Sequence, residues 1–378
     1  MPRPLASRNL NLPETVGLLA PPAAVVSGNT FPRKGPIFPS SGARAVYGSP
    51  RRLTQSPAKE AILAVDKLTQ VAREWFYPAV PARLRRRHIR PPAERLEELR
   101  ASVLGRQQQR EGRISNSCDQ PDWHDHLLGR TEGDRRLIVP WLDDACRLDG
   151  LRILEVGCGT GCSTVALAEQ GALVTGIDVD ASGLRVAHDR CRLYGVRADL
   201  HELNAVEAAR HFKAGDFDLI IFFACLEHMT LPERMEALPA LWGLLRGGAW
   251  LAIVETPNRL WYFDDHTSLL PFFNWLPDEL AFAYSKFSER ELFKDNDPNH
   301  PTNMQEFRRL GRGVSYHEFD LAIGTHEVCS SLSAFYGYRL TLLRSMRAHR
   351  FKSLLRSFRP DLHDGWFEPT LNLLMKKI

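Results

Sequence analysis

The chain has no long apolar run. Its longest, Leu219–Leu226, falls far short of the ~20 residues a membrane-crossing helix needs, so no transmembrane helix is expected. The first residues lack the apolar stretch of a secretory leader and hold prolines and polar residues instead, so none is expected there. Paired cysteine spacing is missing too: the seven cysteines (118, 146, 158, 162, 191, 225 and 329) are scattered and odd in number. That pattern points to reduced thiols in a cytoplasmic setting rather than a disulfide framework. Acids are scarce at the start. Residues 1–115 carry 20 Lys/Arg against 8 Asp/Glu, the remainder 29 against 37, so the net charge of +4 divides into +12 and −8. A nucleic-acid-binding core would show the reverse distribution, and nucleic acid is not expected as a partner. There is no internal repeat.

What is present is an ordinary globular composition, 44% hydrophobic and 25% charged. Residues 1–57 hold ten prolines and few large apolar side chains, and are expected to be a disordered arm. Residues 58–118 read as a basic helical extension and 119–150 as a helical cap leading into a core domain at 151–378. Two readings stand for the stretch 75–90, where Trp75-Phe76-Tyr77 precedes Arg83, Arg85, Arg86, Arg87 and Arg90. One is a solvated helix face; the other is peripheral contact with the inner face of a membrane.

From Leu151 strands and helices alternate. Strands are expected at 152–156, 173–178, 198–203, 217–223 and 249–255, with helices at 163–170, 181–193, 206–212 and 231–245. Near-continuous apolar strands in such an alternation argue for a parallel sheet covered on both faces. Residues 256–315 are aromatic, irregular and too long for a simple connection, so they are expected to form a substrate-side insertion. A helix near 316–323 and two strands, near Tyr338–Leu343 and Thr370–Met375, would close the sheet.

The chemistry centres on Glu155-Val156-Gly157-Cys158-Gly159-Thr160-Gly161, at the end of the first strand. Glycines there let bare backbone approach a nucleoside-like ligand and permit positive φ. Asp178, at the end of the second strand, is placed to accept hydrogen bonds from ribose hydroxyls. A nicotinamide dehydrogenase is the rival reading, but GxGxxG from Gly157 would need glycine where Cys162 stands. An acid two residues before the first glycine also suits a cationic amino-acid moiety better than a pyrophosphate.

With Gly176-Ile177-Asp178, Phe217-Asp218-Leu219-Ile220, Leu226-Glu227-His228-Met229 and Leu244-Leu245-Arg246-Gly247-Gly248, residues 152–257 resemble the class I methyltransferases. The likeness is to the broad group that includes ubiquinone-type O-methyltransferases and bacterial type 11/12 enzymes. The resemblance implies an α/β, Rossmann-like sheet of seven strands, mostly parallel with the last antiparallel and helices on both faces, and S-adenosylmethionine as cofactor. It implies that Glu155 holds the methionine amino end, that Gly157 and Gly159 pass beneath the cofactor, that Asp178 binds the ribose and that Val179 flanks the adenine. Asn204 stands where the family often has an acid contacting the adenine; Cys158, Gly161, Ala205 and Ala224 complete the expected contacts.

An oxygen nucleophile often needs a base, and histidine is the commonest near neutral pH. His266, His228 and Asp265 are the candidates. Against each stands a plainer role: a structural or cofactor-side position for His228, and turn capping for Asp264 and Asp265. No metal is expected, because Cys158 and Cys162 lie within the glycine turn without companion ligands, and His124 and His126 at i, i+2 do not share a helix face. The aromatic run Leu269–Pro277 reads as a small satellite core or as a wall over an apolar or sugar-like acceptor. The expected activity is O-methylation of a small-molecule, lipid-linked or saccharide acceptor. N- or C-methylation, and a non-catalytic cofactor-binding module, are the alternatives.

Overall fold

The computed structural model describes residues 82–85, 87–111, 128–294, 297, 300–324, 326–332 and 342–378. The proline-rich arm, residues 75–81 and the His124/His126 pair lie outside them. Among the described residues no helix is long and apolar enough to cross a membrane.

The chain enters as helix α1 (Ala82–Arg85) and helix α2 (Ala93–Glu111), then α3 (Arg130–Arg136) and α4 (Ile138–Cys146). There follow β1 (Arg152–Val156), α5 (Cys162–Ala168), β2 (Leu173–Asp178), α6 (Ala181–Tyr194), β3 (Ala198–Glu202), α7 (Ala208–His211), β4 (Phe217–Phe223), α8 (Leu231–Leu244) and β5 (Leu245–Pro257). Helices α9 (Asp278–Ser285), α10 (Met304–Arg309) and α11 (Tyr316–Ile323) lead to β6 (Glu327–Ser331), α12 (Leu342–Phe358) and β7 (Thr370–Lys376).

The strands form one seven-stranded sheet in the order β3-β2-β1-β4-β5-β7-β6. β1 to β5 run parallel, and β7 is antiparallel to both β5 and β6. Successive side chains of a strand face opposite sides, and here both sides are covered. Leu154, Val156, Ile220, Phe222, Leu251 and Ile253 pack beneath α8 and α11, while Ile153, Leu219, Ile221, Ala252 and Val254 pack beneath α4 and α5. Strands buried on two faces read as unbroken apolar runs, which is why β1 and β4 fall at their expected bounds.

Local chemistry fixes the helices. The Asp180 side chain accepts from Ser182 N at the start of α6, and Gly195 ends it in the left-handed region. Thr230 with Glu233, and Ser315 with Glu318, form capping boxes for α8 and α11.

The closing strands depart from expectation. The sixth strand is Glu327–Ser331, not the segment near Tyr338–Leu343, of which residues 342–343 belong to α12 and 338–341 lie outside the described residues. An edge strand carrying Glu-Val-Cys-Ser-Ser has one neighbour and little burial, so it shows no apolar run. β5 is also longer than expected, starting at Leu245, with its pairing to β4 shifted between Phe217 and Leu219.

The upstream helices are knitted into this body. Leu99 and Val103 of α2 are buried against Val186, Cys191 and Tyr194 of α6. Arg135 forms a buried pair with Glu169 (2.6 Å) and donates to Ile89 O, while Ile89 N donates to Glu169. Arg83 pairs with Asp143 at 2.7 Å and Arg87 with Asp149 at 2.8 Å. These two arginines of the basic run pair with acids of α4 and of the turn before β1 while their side chains stay partly exposed.

The insertion is bounded by a bridge between Asn258 and Val314. It builds its own small core from Leu270, Phe273, Ala281, Phe293 and Phe307, with the Arg312 guanidinium 4.9 Å from the Phe273 ring centre. The satellite-core reading of the aromatic run therefore holds for Phe273, while Phe272 and Trp275 stay exposed.

Candidate active site

Strand order reverses between β1 and β4, because the chain runs outward through β2 and β3 before returning to the other side of β1. A crevice at the carboxyl ends of the strands follows from that reversal. A cavity of ≈ 1070 Å³ occupies it, walled by the turns after β1 to β4, by Glu255 of β5, and by α2, α3 and the end of α10.

Its floor is the glycine turn. Gly157 and Cys158 donate their N–H groups to Ile177 O (2.9 and 3.2 Å). Gly157 has φ +77°, and a Cβ there would stand 2.7 Å from both Cβ and Sγ of Cys225. No other residue fits without moving the turn after β4. Asp178 closes the turn from the side: its Oδ2 accepts from Gly159 N and its Oδ1 from Asp180 N, both at 2.8 Å. Gly157, Cys158, Gly159, Asp178, Val179, Asn204, Ala205 and Ala224 all line the cavity. Asn204 Oδ1 also accepts from Val206 N at 3.2 Å, capping the short turn after β3.

Two of the expected contacts lie elsewhere. Gly161 is away from the cavity; a Cβ there would come within 3.0 Å of Ala187, so its glycine serves the close packing of α5 on α6. Glu155 is fully buried and also off the cavity. Its carboxyl accepts from Ser163 Oγ and from Thr164 Oγ1 (2.6 Å) in the first turn of α5, where the helix dipole favours negative charge. Burial nonetheless pushes its pKa up to about 7.

Among the charged groups that do face the cavity are Arg130 and Asp134 of α3 and Glu255, which has φ +55°. Burial, with Glu255 and Glu155 nearby, holds the Asp134 pKa well above the usual carboxylate range. Sequence reasoning missed all three. Glu255 ends the strand expected at 249–255 and so carried a positional signal, whereas nothing in the spacing brings α3 to the cleft. At the rim Arg106 of α2 pairs with Asp180 at 2.6 Å.

The turn after β4 carries a second constellation. The turn Leu226–His228 after β4 presents His228 to the cavity. His228 Nδ1 lies 2.8 Å from Arg309 O, and the Arg309 guanidinium makes two 2.6 Å bonds to Glu233. Glu227 is fully buried beside it. Its Oε2 accepts from Thr256 Oγ1 at 3.3 Å, whereas Oε1 has no hydrogen-bond partner and lies 3.8 Å from His228 Nε2 and 3.6 Å from His266 Nε2. Burial drives the Glu227 carboxyl up to about 8. It also drives His266 down to about 4, helped by His228, whose own pKa is lowered by desolvation.

Thus His228 and His266 come together, their ring centres 5.6 Å apart. Only His228 of the three expected catalytic residues lines the cavity; His266 sits behind it, and Asp265 is off the cavity wall. Asp264 is a turn cap, accepting from the backbone N–H of His266, Thr267 and Ser268 and from Ser268 Oγ. His317 stacks on Tyr316 at 3.8 Å and also lies off the cavity.

Residues 153–248 match a family model described as a methyltransferase domain. Over 124 residues the chain is 37% identical to a ubiquinone biosynthesis O-methyltransferase of Aromatoleum aromaticum, covering 32% of this chain and 51% of that protein. It is 33% identical over 123 residues to the protein of that description from Pseudomonas aeruginosa, covering 32% of this chain and 51% of that one. The chain therefore spans about half the length of the curated relatives it matches. Among solved structures it is similar to a SAM-dependent methyltransferase from Methanosarcina mazei, at 18% identity and a TM-score of 0.34, covering 61% of this chain and 93% of that one.

Proposed function

We propose, from the premise that residues 153–248 belong to a class I S-adenosylmethionine-dependent methyltransferase domain, that the chain methylates an oxygen of a small-molecule, lipid-linked or saccharide acceptor. The observation that carries this reading is one cavity lined by two unlike turns, a glycine turn clasped by Asp178 and a histidine-bearing turn beside it.

The residues suit the cofactor. The Gly157–Gly159 turn offers backbone to a nucleoside, Asp178 would hold its ribose, and Val179, Asn204 and Ala205 would flank its adenine; all of them line the cavity. In place of Glu155, the methionine end falls to Arg130, Asp134 and Glu255, which together offer a cation for its carboxylate and acids for its amine. The bound sulfonium supplies an electrophilic methyl group. The protein's part is chiefly to hold the acceptor oxygen in line with it, since positioning alone supplies much of the barrier reduction.

His228 faces the cavity with its Nδ1 committed to a carbonyl, which leaves Nε2 as the proton-accepting atom. With a lowered pKa it stays neutral near pH 7 and able to accept. His266 and Glu227 stand behind it as the rest of that cluster.

The test is methyl transfer from isotopically labelled S-adenosylmethionine to fractionated metabolites and lipids, read by mass spectrometry. Label in an O-methyl product is expected. Label only on nitrogen or carbon would move the acceptor assignment, and cofactor binding without transfer to any fraction would leave a binding module. No calorimetric heat with either the cofactor or S-adenosylhomocysteine on folded protein would overturn the reading.

A further inference from the structure

We infer that Glu227, His228 and His266 form a binding site for a divalent cation of borderline softness, zinc or a neighbouring transition metal, beside the turn after β4. Among the described residues these three bring one ligand atom each, Glu227 Oε1 and the two Nε2 atoms, within 4.8 Å of one another. Two donors bound tetrahedrally at zinc's usual ~2.1 Å lie ~3.4 Å apart. The observed 3.6 and 3.8 Å from Glu227 Oε1 therefore need to close by only a few tenths of an ångström.

The proton positions point the same way. Arg309 O can only accept, so His228 Nδ1 carries the hydrogen and Nε2 presents a lone pair. His266 Nδ1 lies 3.0 Å from Thr267 Oγ1, and that hydroxyl donates to Gly311 O at 3.0 Å. Thr267 Oγ1 is thus left to accept from Nδ1–H, and His266 Nε2 also presents a lone pair. Metal-binding histidines are commonly held by this kind of outer hydrogen bond, which fixes tautomer and ring direction.

Three lone-pair atoms therefore converge with no donor among them, and one belongs to a fully buried carboxylate whose Oε1 has no hydrogen-bond partner. Buried polar atoms are rarely left so. A proton on Glu227 would not satisfy the group, because one O–H can donate to only one of the two imidazoles and leaves the other lone pair unmatched. A cation satisfies all three at once.

Two imidazoles and one carboxylate suit zinc, iron, cobalt or nickel, whereas magnesium prefers an all-oxygen shell and keeps its waters. Three protein ligands leave a further position for water or an acceptor oxygen, and His228 lines the cavity. A catalytic use of that position rests on the methyl-transfer reading, and with an ion bound His228 Nε2 is a ligand and no longer the proton acceptor; metal binding itself does not rest on that reading. Because His266 belongs to the insertion and Glu227 to the turn after β4, the ion would also tie these two parts together.

The experiment uses the full chain stripped with chelator, then titrated with Zn²⁺ or Mg²⁺ by calorimetry, with bound metal counted by mass spectrometry. One equivalent of zinc is expected and no saturable magnesium binding. Glu227→Gln and His266→Ala should each weaken zinc by at least about a hundredfold, while Cys329→Ser, which removes an exposed thiol, should not. Absence of zinc binding, or wild-type zinc affinity in both ligand variants, would overturn the site. Should a variant fail to fold by circular dichroism, Co²⁺ added to the wild-type chain decides. Visible bands of nitrogen and oxygen ligation support the site, and a thiolate charge-transfer band refutes it. Calorimetry with S-adenosylhomocysteine on the same samples shows separately whether the cofactor reading stands.

Discussion

Two parts of the cleft are made in opposite ways. The glycine turn is largely a local construction: a strand, a turn of bare backbone and one carboxylate 19 residues from Gly159 that closes it. The histidine cluster is assembled from pieces that the chain brings together only on folding. Glu227 and His228 follow β4, His266 comes from the insertion, and the carbonyl that orients His228 belongs to Arg309, 81 residues away. The first kind of site leaves a contiguous trace in the sequence. The second leaves isolated histidines whose partners no spacing reveals.

This contrast can be broken most sharply at Gly157. Gly157→Val adds bulk 2.7 Å from Cys225 at a φ of +77°, and S-adenosylhomocysteine affinity is expected to fall by more than about a thousandfold, or ~4 kcal/mol. Calorimetric binding within tenfold of wild type would show that the turn is not the floor of the site.

His228→Ala tests the histidine cluster. Turnover should fall by about a hundredfold or more, with S-adenosylhomocysteine affinity changed by less than about tenfold. Equal losses in both would mean that the two parts do not act separately.

Asp264→Ala removes one buried acceptor from three backbone N–H groups and a hydroxyl. A loss of about 2 kcal/mol is expected, read as faster hydrogen exchange across 262–311. Protection in β1 and β2 should persist.

The smallest effect concerns pH. In chelated protein Glu227 has its carboxyl pKa raised from 4.5 to about 8, so the folded state holds a proton that the unfolded chain has already lost. Its contribution to stability is present below about pH 4.5 and is lost as pH rises through about 8. The melting temperature of Glu227→Gln, relative to wild type, should therefore climb by a few degrees between about pH 5 and pH 9. A difference that stays constant with pH would mean that Glu227 is ionised throughout.

Legibility followed burial. β1 and β4 are central, covered on both faces, and recognisable as apolar runs ended by turn residues. β6 is an edge strand of small and polar residues, and no periodicity distinguishes it from loop. Gly157, Gly159 and Asp178, expected together, do line one cavity, and the two glycines carry the positive φ that the turn requires. The way the Glu155 carboxyl turns was not legible, because its position before the glycines says nothing of it, and the hydroxyls of Ser163 and Thr164 draw it under α5. Arg130 and Asp134 were invisible because their place depends on how α3 docks.

That docking bears on where the protein can be cut. The segment recognised by family likeness starts at residue 153, yet Arg106, Arg130 and Asp134, all upstream, face the same hollow. A fragment trimmed to its strands would keep the floor of this hollow and lose a flank. A piece that keeps the whole hollow begins well before the first strand.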